Sequence, residues 1–515
     1  MNHLYYGDNL IVLREKMPAN SIDLCYIDSP FNSKRNYFQI YNNIGEEDKA
    51  QAQAFIDTWT WDQLAAEGFQ EIITNAGGRF TEQLIELIRG LRLILKEGSL
   101  LAYLVSMGLR VTEIHRVLKP TGSFYLHCDP TASHYLKLLL DAIFCPHGGD
   151  FRNEIIWCYK SRHFSKKYFG RKHDSIFFYT KSQHYTFNWQ KVLRPLSEVT
   201  IKKFKHQDEQ GFYRLVGRGI KGSPIQSAKD VSPEYEQTHP HLVKRDYLKK
   251  GVPFEDYWNI DIVNQSAKER LGYPTQKPES LLERIIQASS NEADWVLDAY
   301  CGCGTTVAVA QKLQRNWIGI DITYQSVGLV LRRLEQSFGK TILDNISLGG
   351  IPKDLSSAKA LAEKQDDRLR KEFEKWAILT YSNNRAIINT KKGADKGIDG
   401  IAYFLTSKNE TDKIVFQVKS GKVERKDIAT LRGDMEREQA VIAIFITLEN
   451  PTKAMEEEAK AAGLYLHEMM GRNYPKIQIV TVEEIVEEDK RLEMPLSLEV
   501  LKKAELKSSA NQLEM

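Results

Sequence analysis

Val296-Leu297-Asp298-Ala299-Tyr300-Cys301-Gly302-Cys303-Gly304-Thr305-Thr306 passes from an apolar, strand-like run through two glycines into a helical pattern. The spacing predicts a strand at Trp295–Asp298, a tight turn, and a helix from about Thr305 to Leu313. Gly302 and Gly304 permit the turn and let a ligand come close to the backbone. A second strand, Trp317 to Ile320, ends at Asp321, 19 residues beyond Gly302. Nucleotide-binding α/β folds place a ribose-binding carboxylate at that point. Where a dinucleotide fingerprint carries its third glycine, this chain has Val307. That argues against NAD and against a pyrophosphate. Taken alone, the stretch is also compatible with a βα turn that binds nothing.

Upstream, Ser21 to Ile27 reads as a strand ending at Asp28-Ser29-Pro30-Phe31. Leu101 to Leu118 has helical periodicity and stops at the turn signal Lys119-Pro120-Thr121-Gly122. Ser123 to Cys128 reads as a strand, and Glu279 to Ser289 as a helix. Strands alternating with helices predict a parallel α/β sheet. From 157 to 270 periodicity is weak, and 22 Lys and Arg stand against 12 Asp and Glu. This segment is expected to be an insert that meets a polyanion; a solvated surface is the plainer alternative. The 515 residues exceed one hydrophobic core. Residues 346–365, with Gly349-Gly350 and an Ala/Lys run, read as a linker. Beyond it, a charged helix from Asp366 to Tyr381 leads into strands at 386–389, 397–405, 414–418, 441–447 and 477–482. A helix from about Lys426 to Gln439 lies between the third and fourth. This predicts a second, smaller α/β domain over 366–486 and a tail over 487–515. The longest apolar run, Ala440 to Leu448, is roughly half a membrane span. No secretory signal is read at the N-terminus, and six cysteines in a chain of this length form no disulfide framework. A cytoplasmic protein is the expectation. Cys301 and Cys303 have no nearby third and fourth ligand and make a poor zinc site.

At the end of a strand, Asp28 and a main-chain carbonyl sit where open α/β sheets bind ligands, with the ring of Phe31 close behind. Two acceptors and a stacking face suit an amino group on a planar ring. An ordinary Asp/Ser turn is the alternative when the motif is taken by itself. Asp28-Ser29-Pro30-Phe31 resembles the (D/N/S)-P-P-(Y/F) motif of amino-group DNA methyltransferases. Tyr300-Cys301-Gly302-Cys303-Gly304 resembles their F-x-G-x-G motif, and Tyr273-Pro274-Thr275-Gln276-Lys277-Pro278 their H-P-T-Q-K-P element. The order of the motifs is that of the β class; the resemblance covers roughly residues 1 to 340 and implies a methyltransferase domain over 1–345. Ser29 replaces a proline, Tyr300 a Phe and Tyr273 a His. The resemblance implies a Rossmann-like fold binding S-adenosylmethionine through Asp298, Tyr300, Gly302, Gly304, Thr305, Asp321, Thr275 and Lys277. It implies catalysis by Asp28, Ser29, Pro30 and Phe31 on a base flipped out of double-stranded DNA. Adenine N6 is favoured over cytosine N4, and the insert becomes the target-recognition region.

In the second domain Gln417 and Lys419, two apart, share one face of a strand. With Asp399 on the neighbouring strand they can form an oxygen-ligand site beside a cation. A charged β edge is the alternative. The succession Gly397-Ile398-Asp399, then Gln417-Val418-Lys419, resembles a PD-(D/E)xK nuclease core of the Mrr type. Glu374 matches a helical acid of that group. The resemblance implies catalysis by Asp399, Gln417, Lys419 and Glu374, with Mg²⁺ held by Asp399 and Gln417. The leading reading is therefore a methyltransferase fused to an endonuclease in one restriction–modification polypeptide. The second is a methyltransferase with a non-cleaving domain that binds DNA or a partner. An oxidoreductase and a non-enzymatic DNA-binding regulator are weaker readings. No membrane partner is expected, and a homodimer is left open.

Overall fold

A computed structural model describes residues 1–30, 35–40, 51–57, 59–160, 166–217, 230–264, 267, 269–271, 273, 275–363, 367–389, 397–406 and 411–494. Phe31, Pro274 and residues 495–515 of the expected tail lie outside the described residues. The main sheet has nine strands: β1 (Asn2–Tyr6), β2 (Ile22–Asp28), β3 (Leu118–Cys128), β4 (Asp150–Cys158), β5 (His173–Thr180), β6 (Tyr257–Asn259), β7 (Trp295–Asp298), β8 (Asn316–Asp321) and β9 (Ile346–Gly349). Their spatial order is β6-β4-β5-β3-β2-β7-β8-β1-β9. Neighbours from β3 through β9 are parallel, whereas β5 pairs antiparallel with β3 and with β4. The expected parallel sheet is thus mixed. Helices α1 (Asn9–Lys16), α2 (Ser99–Val117), α3 (Glu279–Ser289), α4 (Thr305–Lys312) and α5 (Tyr324–Phe338) belong with it. The run from Leu24 to Ile27 is wholly buried, as befits a central strand covered on both faces.

Three expectations change. The turn signal Lys119–Gly122 lies inside β3, at an irregularity where the pairing with β2 passes from Leu118 to Ser123. The expected insert, 157 to 270, contains β5, a sheet strand; the separate compact unit is the shorter stretch 187–257. In that unit Val243–Tyr247, Gly211–Gly217 and His206–Asp208 form an antiparallel sheet. Several of its cations are engaged locally: Arg245 with Asp208 and Glu236, Arg214 with Asp246. The expected linker is ordered. Its first residues form β9, and Leu355–Ala362 is a helix started by an Asp354–Ser357 capping box.

The second sheet follows the expected order closely. Its strands are β10 (Ile387–Ile388), β11 (Gly400–Leu405), β12 (Thr411–Lys419), β13 (Ile442–Thr447) and β14 (Ile477–Thr481), side by side in chain order. The first two junctions are antiparallel and the last two parallel. Helix α6 (Asp367–Tyr381) precedes β10, and α7 (Arg425–Arg437) joins β12 to β13. This sheet belongs to the same compact unit as the first. The reason is visible on α5, where eleven consecutive residues from Tyr324 to Leu334 are buried. A surface helix would expose one face. Here Phe373, Trp376, Ile378 and Leu379 of α6 share one apolar core with Leu4, Tyr6, Val330 and Leu334. Glu372 accepts the Tyr324 N–H at 2.9 Å, and Arg385 grips both oxygens of Glu335 at 2.8 and 3.0 Å.

Candidate active site

Three carboxylates stand at the carboxyl ends of adjacent parallel strands: Asp28 on β2, Asp298 on β7 and Asp321 on β8. The strand order reverses between β2 and β7, and open α/β sheets offer their ligand crevice at such a point. Burial pushes Asp298 up to about 7, helped by the charges of Asp28 and Asp321 and opposed by hydrogen bonds from Thr306 and the Tyr300 N–H. Burial likewise pushes Asp321 up to about 6. Burial is the leading cause of both rises, so they describe a crevice shielded from water at the strand ends.

Asp321 is held from two sides. Oδ2 accepts the Gly302 N–H at 2.9 Å, and Oδ1 accepts the N–H and hydroxyl of Thr323 at 2.9 and 3.1 Å. The glycine turn and the next strand end are therefore one structure. Gly302 and Gly304 have φ of +49° and +72°, which L side chains rarely adopt. A Cβ on Gly304 would come within 2.8 Å of Val330, and one on Gly302 within 3.3 Å of the Tyr273 ring. Tyr273 thus roofs the turn, in the place of the histidine of the motif it resembles.

Lys277, which the resemblance assigns to the cofactor, forms an ion pair with Asp28 Oδ2 and donates to the Thr275 carbonyl at 3.2 Å. Thr305 donates to the Lys277 carbonyl at 3.3 Å and accepts from Arg333 at 3.0 Å. Thr275, Lys277 and Thr305 therefore tie the 275–278 segment to the start of α4 and to β2. The other oxygen of Asp28, Oδ1, is buried without a hydrogen-bond partner. Ser29 is 2% exposed, and its hydroxyl meets the Tyr103 hydroxyl at 3.0 Å. That contact turns the hydroxyl away, which explains how serine can stand where the resembled motif has proline. Phe31 lies outside the described residues.

Several residues here had no signal in the motif reading. Asp8 caps α1 and pairs with Arg110 at 2.8 Å; Asn9 donates to the Ala299 carbonyl at 2.8 Å and accepts from Arg110 at 2.6 Å. Gly7-Asp8 directly after the strand Asn2–Tyr6 was the cue, and the Gly7 N–H bonds the Asp321 carbonyl at 2.9 Å. His127 lies beside Asp28 in register on β3 and had no cue in the sequence.

In the second sheet, the Asp399 N–H bonds the Phe416 carbonyl, and its carboxylate accepts the Val418 N–H, both at 2.8 Å. Gln417 donates to the Gly397 carbonyl at 2.9 Å, leaving its Oε1 buried without a hydrogen-bond partner. Lys419 lies 3.7 Å from Asp427 on α7. Glu374 is one turn before Ile378, which packs against Gly400. The expected Mg²⁺ site is not matched. Mg²⁺ is held in an octahedron of oxygens, several of them waters, and needs one or two carboxylates with free oxygens to anchor it. Asp399 spends an oxygen on the main chain, Gln417 is neutral, and among the described residues no three Asp, Glu, His or Cys side chains group to hold a metal.

Comparison with known proteins agrees with this division. Residues 22–331 match the model of a DNA methylase family, and residues 369–487 that of a NACHT-associated inactive restriction endonuclease. The chain is 27% identical over 334 residues to the DNA adenine methyltransferase YhdJ of Escherichia coli (strain K12), covering 64% of this chain and 82% of that one. It is 27% identical over 278 residues to the type II methyltransferase M.HpaI of Haemophilus parainfluenzae, covering 53% and 71%. It is 32% identical over 222 residues to the type II methyltransferase M1.MboII of Moraxella bovis, covering 42% and 75%.

Proposed function

The chain belongs to the DNA methylase family whose model spans residues 22–331, and from that premise we propose that it methylates the exocyclic amine of a base in double-stranded DNA, adenine N6 before cytosine N4. One observation carries the reading: three carboxylates converge at the sheet's ligand crevice, with a buried, unpartnered oxygen on Asp28. A cationic nucleoside fits that set. Asp321, braced by the glycine turn, is placed to receive ribose hydroxyls, and the charge of Asp298 and Asp28 favours a sulfonium and an ammonium. S-adenosylmethionine, when bound, supplies an electrophilic methyl group. Asp28 Oδ1 and the Ser29 carbonyl accept the amine hydrogens of a flipped base and orient its lone pair, while Lys277 fixes the other oxygen of Asp28. No metal takes part in this scheme.

For DNA, the β4–β5 hairpin, at the start of the expected insert, is a stronger candidate than the 187–257 unit. Residues 166–173 are all exposed, Phe169 fully so, and Lys166, Lys167, Arg171 and Lys172 cluster there at the carboxyl edge of the main sheet. For the second domain, the geometry favours the non-cleaving reading, because the acids needed for a metal do not converge. The test incubates the full chain with unmodified DNA and methyl-labelled S-adenosylmethionine, then identifies the modified nucleoside by mass spectrometry. N6-methyladenine is expected, and Asp28→Ala should give none. Label transfer by Asp28→Ala at the native rate would remove Asp28 from the reaction.

A further inference from the structure

Methyl transfer to an amine leaves a proton to be disposed of inside a closed site, and β3 carries a buried group at that point. His127 is 0% exposed and lies between two carboxylates. Its Nδ1 is 4.0 Å from Asp28 Oδ1, and its Nε2 is 3.3 Å from Asp174 Oδ2. The Tyr26 hydroxyl reaches Nδ1 at 2.9 Å, and the Trp157 ring packs perpendicular to the imidazole at 5.3 Å between centroids. Asp174 Oδ1 in turn accepts the Tyr159 hydroxyl at 3.3 Å. A carboxylate only accepts, so Nε2 carries the ring proton toward Asp174 and Nδ1 keeps its lone pair. That lone pair points along the Tyr26–Asp28 side. The groups facing the imidazole are thus Tyr26 and Asp28 from β2, with Lys277 behind Asp28, and Asp174 from β5, with Tyr159 behind it.

We propose that Asp28, His127 and Asp174 form an exit path for the proton released by methyl transfer, a reading that rests on the proposed amine chemistry. The nitrogen–methyl bond forms as the methyl–sulfur bond breaks, the bonding pair leaving with sulfur. The nitrogen, now positively charged, gives one proton to Asp28 Oδ1. Asp28 passes it to His127 Nδ1 as the Tyr26 hydroxyl rotates away. The resulting imidazolium is held between two carboxylates, and its Nε2 proton leaves through Asp174, whose side chain is 14% exposed. Lys277 prevents the use of Oδ2, which makes Oδ1, on the His127 side, the oxygen that serves the base. His127 and Asp174 are positioning residues in this scheme, since they act through Asp28.

The experiment uses the full chain in single-turnover methylation of unmodified DNA with methyl-labelled S-adenosylmethionine. Cofactor binding is measured by calorimetry and DNA binding by fluorescence anisotropy. His127→Gln keeps an acceptor for Tyr26 and a donor for Asp174 but carries no proton. It should bind both ligands as the native protein does, yet transfer methyl roughly 100-fold more slowly. His127→Gly should regain rate with added imidazole, in proportion to its neutral form, which a purely structural role would not produce. A His127→Gln rate within about threefold of native overturns the path. If His127→Gln fails to bind either ligand, Asp174→Asn decides: a loss of about tenfold with binding intact supports the path, and an unchanged rate overturns it. Failure of the native protein to methylate any DNA would refute the underlying reading instead, and is seen before any variant is made.

Discussion

Asp321→Asn offers the sharpest check on the cofactor crevice. Burial holds the Asp321 carboxyl at about 6, against an ordinary 3.8, although it accepts two main-chain N–H groups and a hydroxyl. If only the ionised form binds a cationic nucleoside, affinity in the native protein should fall about tenfold for each pH unit below 6. At pH 5 that is about 1.4 kcal/mol. Asp298, held at about 7, adds to the slope wherever its charge is also required. Asparagine keeps one acceptor for Thr323 but turns an NH₂ toward the Gly302 N–H, or the reverse. The variant should therefore lose about 1.5–3 kcal/mol of affinity at pH 7.5 and one unit of the slope between pH 5 and 6. Calorimetry of S-adenosylmethionine binding across pH 5–8, repeated in buffers of different ionisation enthalpy, measures affinity and proton release together. The ligand-free protein should show the opposite trend from these two groups. Their folded values lie above the unfolded 3.8, so the folded state binds protons more tightly, and they add stability as pH falls from about 7 toward 4. A native affinity that is flat from pH 5 to 8, or a variant that retains the native slope, would refute the role of Asp321.

The shared core predicts that the two sheets unfold together. Trp376→Ala, at a fully buried position, should cost about 3–5 kcal/mol and lower a single calorimetric transition. A chain cut at residue 345 should be insoluble; two resolved transitions would show independent domains. For the second sheet, plasmid DNA incubated with Mg²⁺ or Mn²⁺ should stay intact with the native chain. Cutting that disappears in Asp399→Ala and Lys419→Ala would restore the endonuclease reading. Neutralising Lys166, Lys167, Arg171 and Lys172 should weaken DNA binding, with the salt slope falling by about 0.9 for each phosphate that is no longer neutralised. An unchanged slope would return DNA binding to the 187–257 unit.

Much of the site was legible along the chain because its parts are local. A strand, a glycine turn and a helix occupy adjacent residues, so Asp298, Gly302, Gly304 and Asp321 could be located from spacing alone. The turn requires positive φ, and only glycine adopts it without strain. Asp28 could be located because the apolar run Leu24–Ile27 leads directly into it. The alternation of the C-terminal strands was equally readable, since each is a short apolar segment between turn signals. What tertiary structure decided is contact between residues far apart in sequence. Lys277 meets Asp28 across 249 positions, so its basic charge gave no hint of whether it served the cofactor or the acid. His127 looked like one more buried residue until β2 and β3 paired in register. Asp399 and Gln417 had the spacing of a metal site, yet main-chain hydrogen bonds, invisible to spacing, hold one Asp399 oxygen and the Gln417 amide nitrogen. The packing of the two halves against each other was not legible for the same reason. Sequence shows where composition changes, whereas a core is set by which apolar faces meet, and α5 buries its outer face under α6.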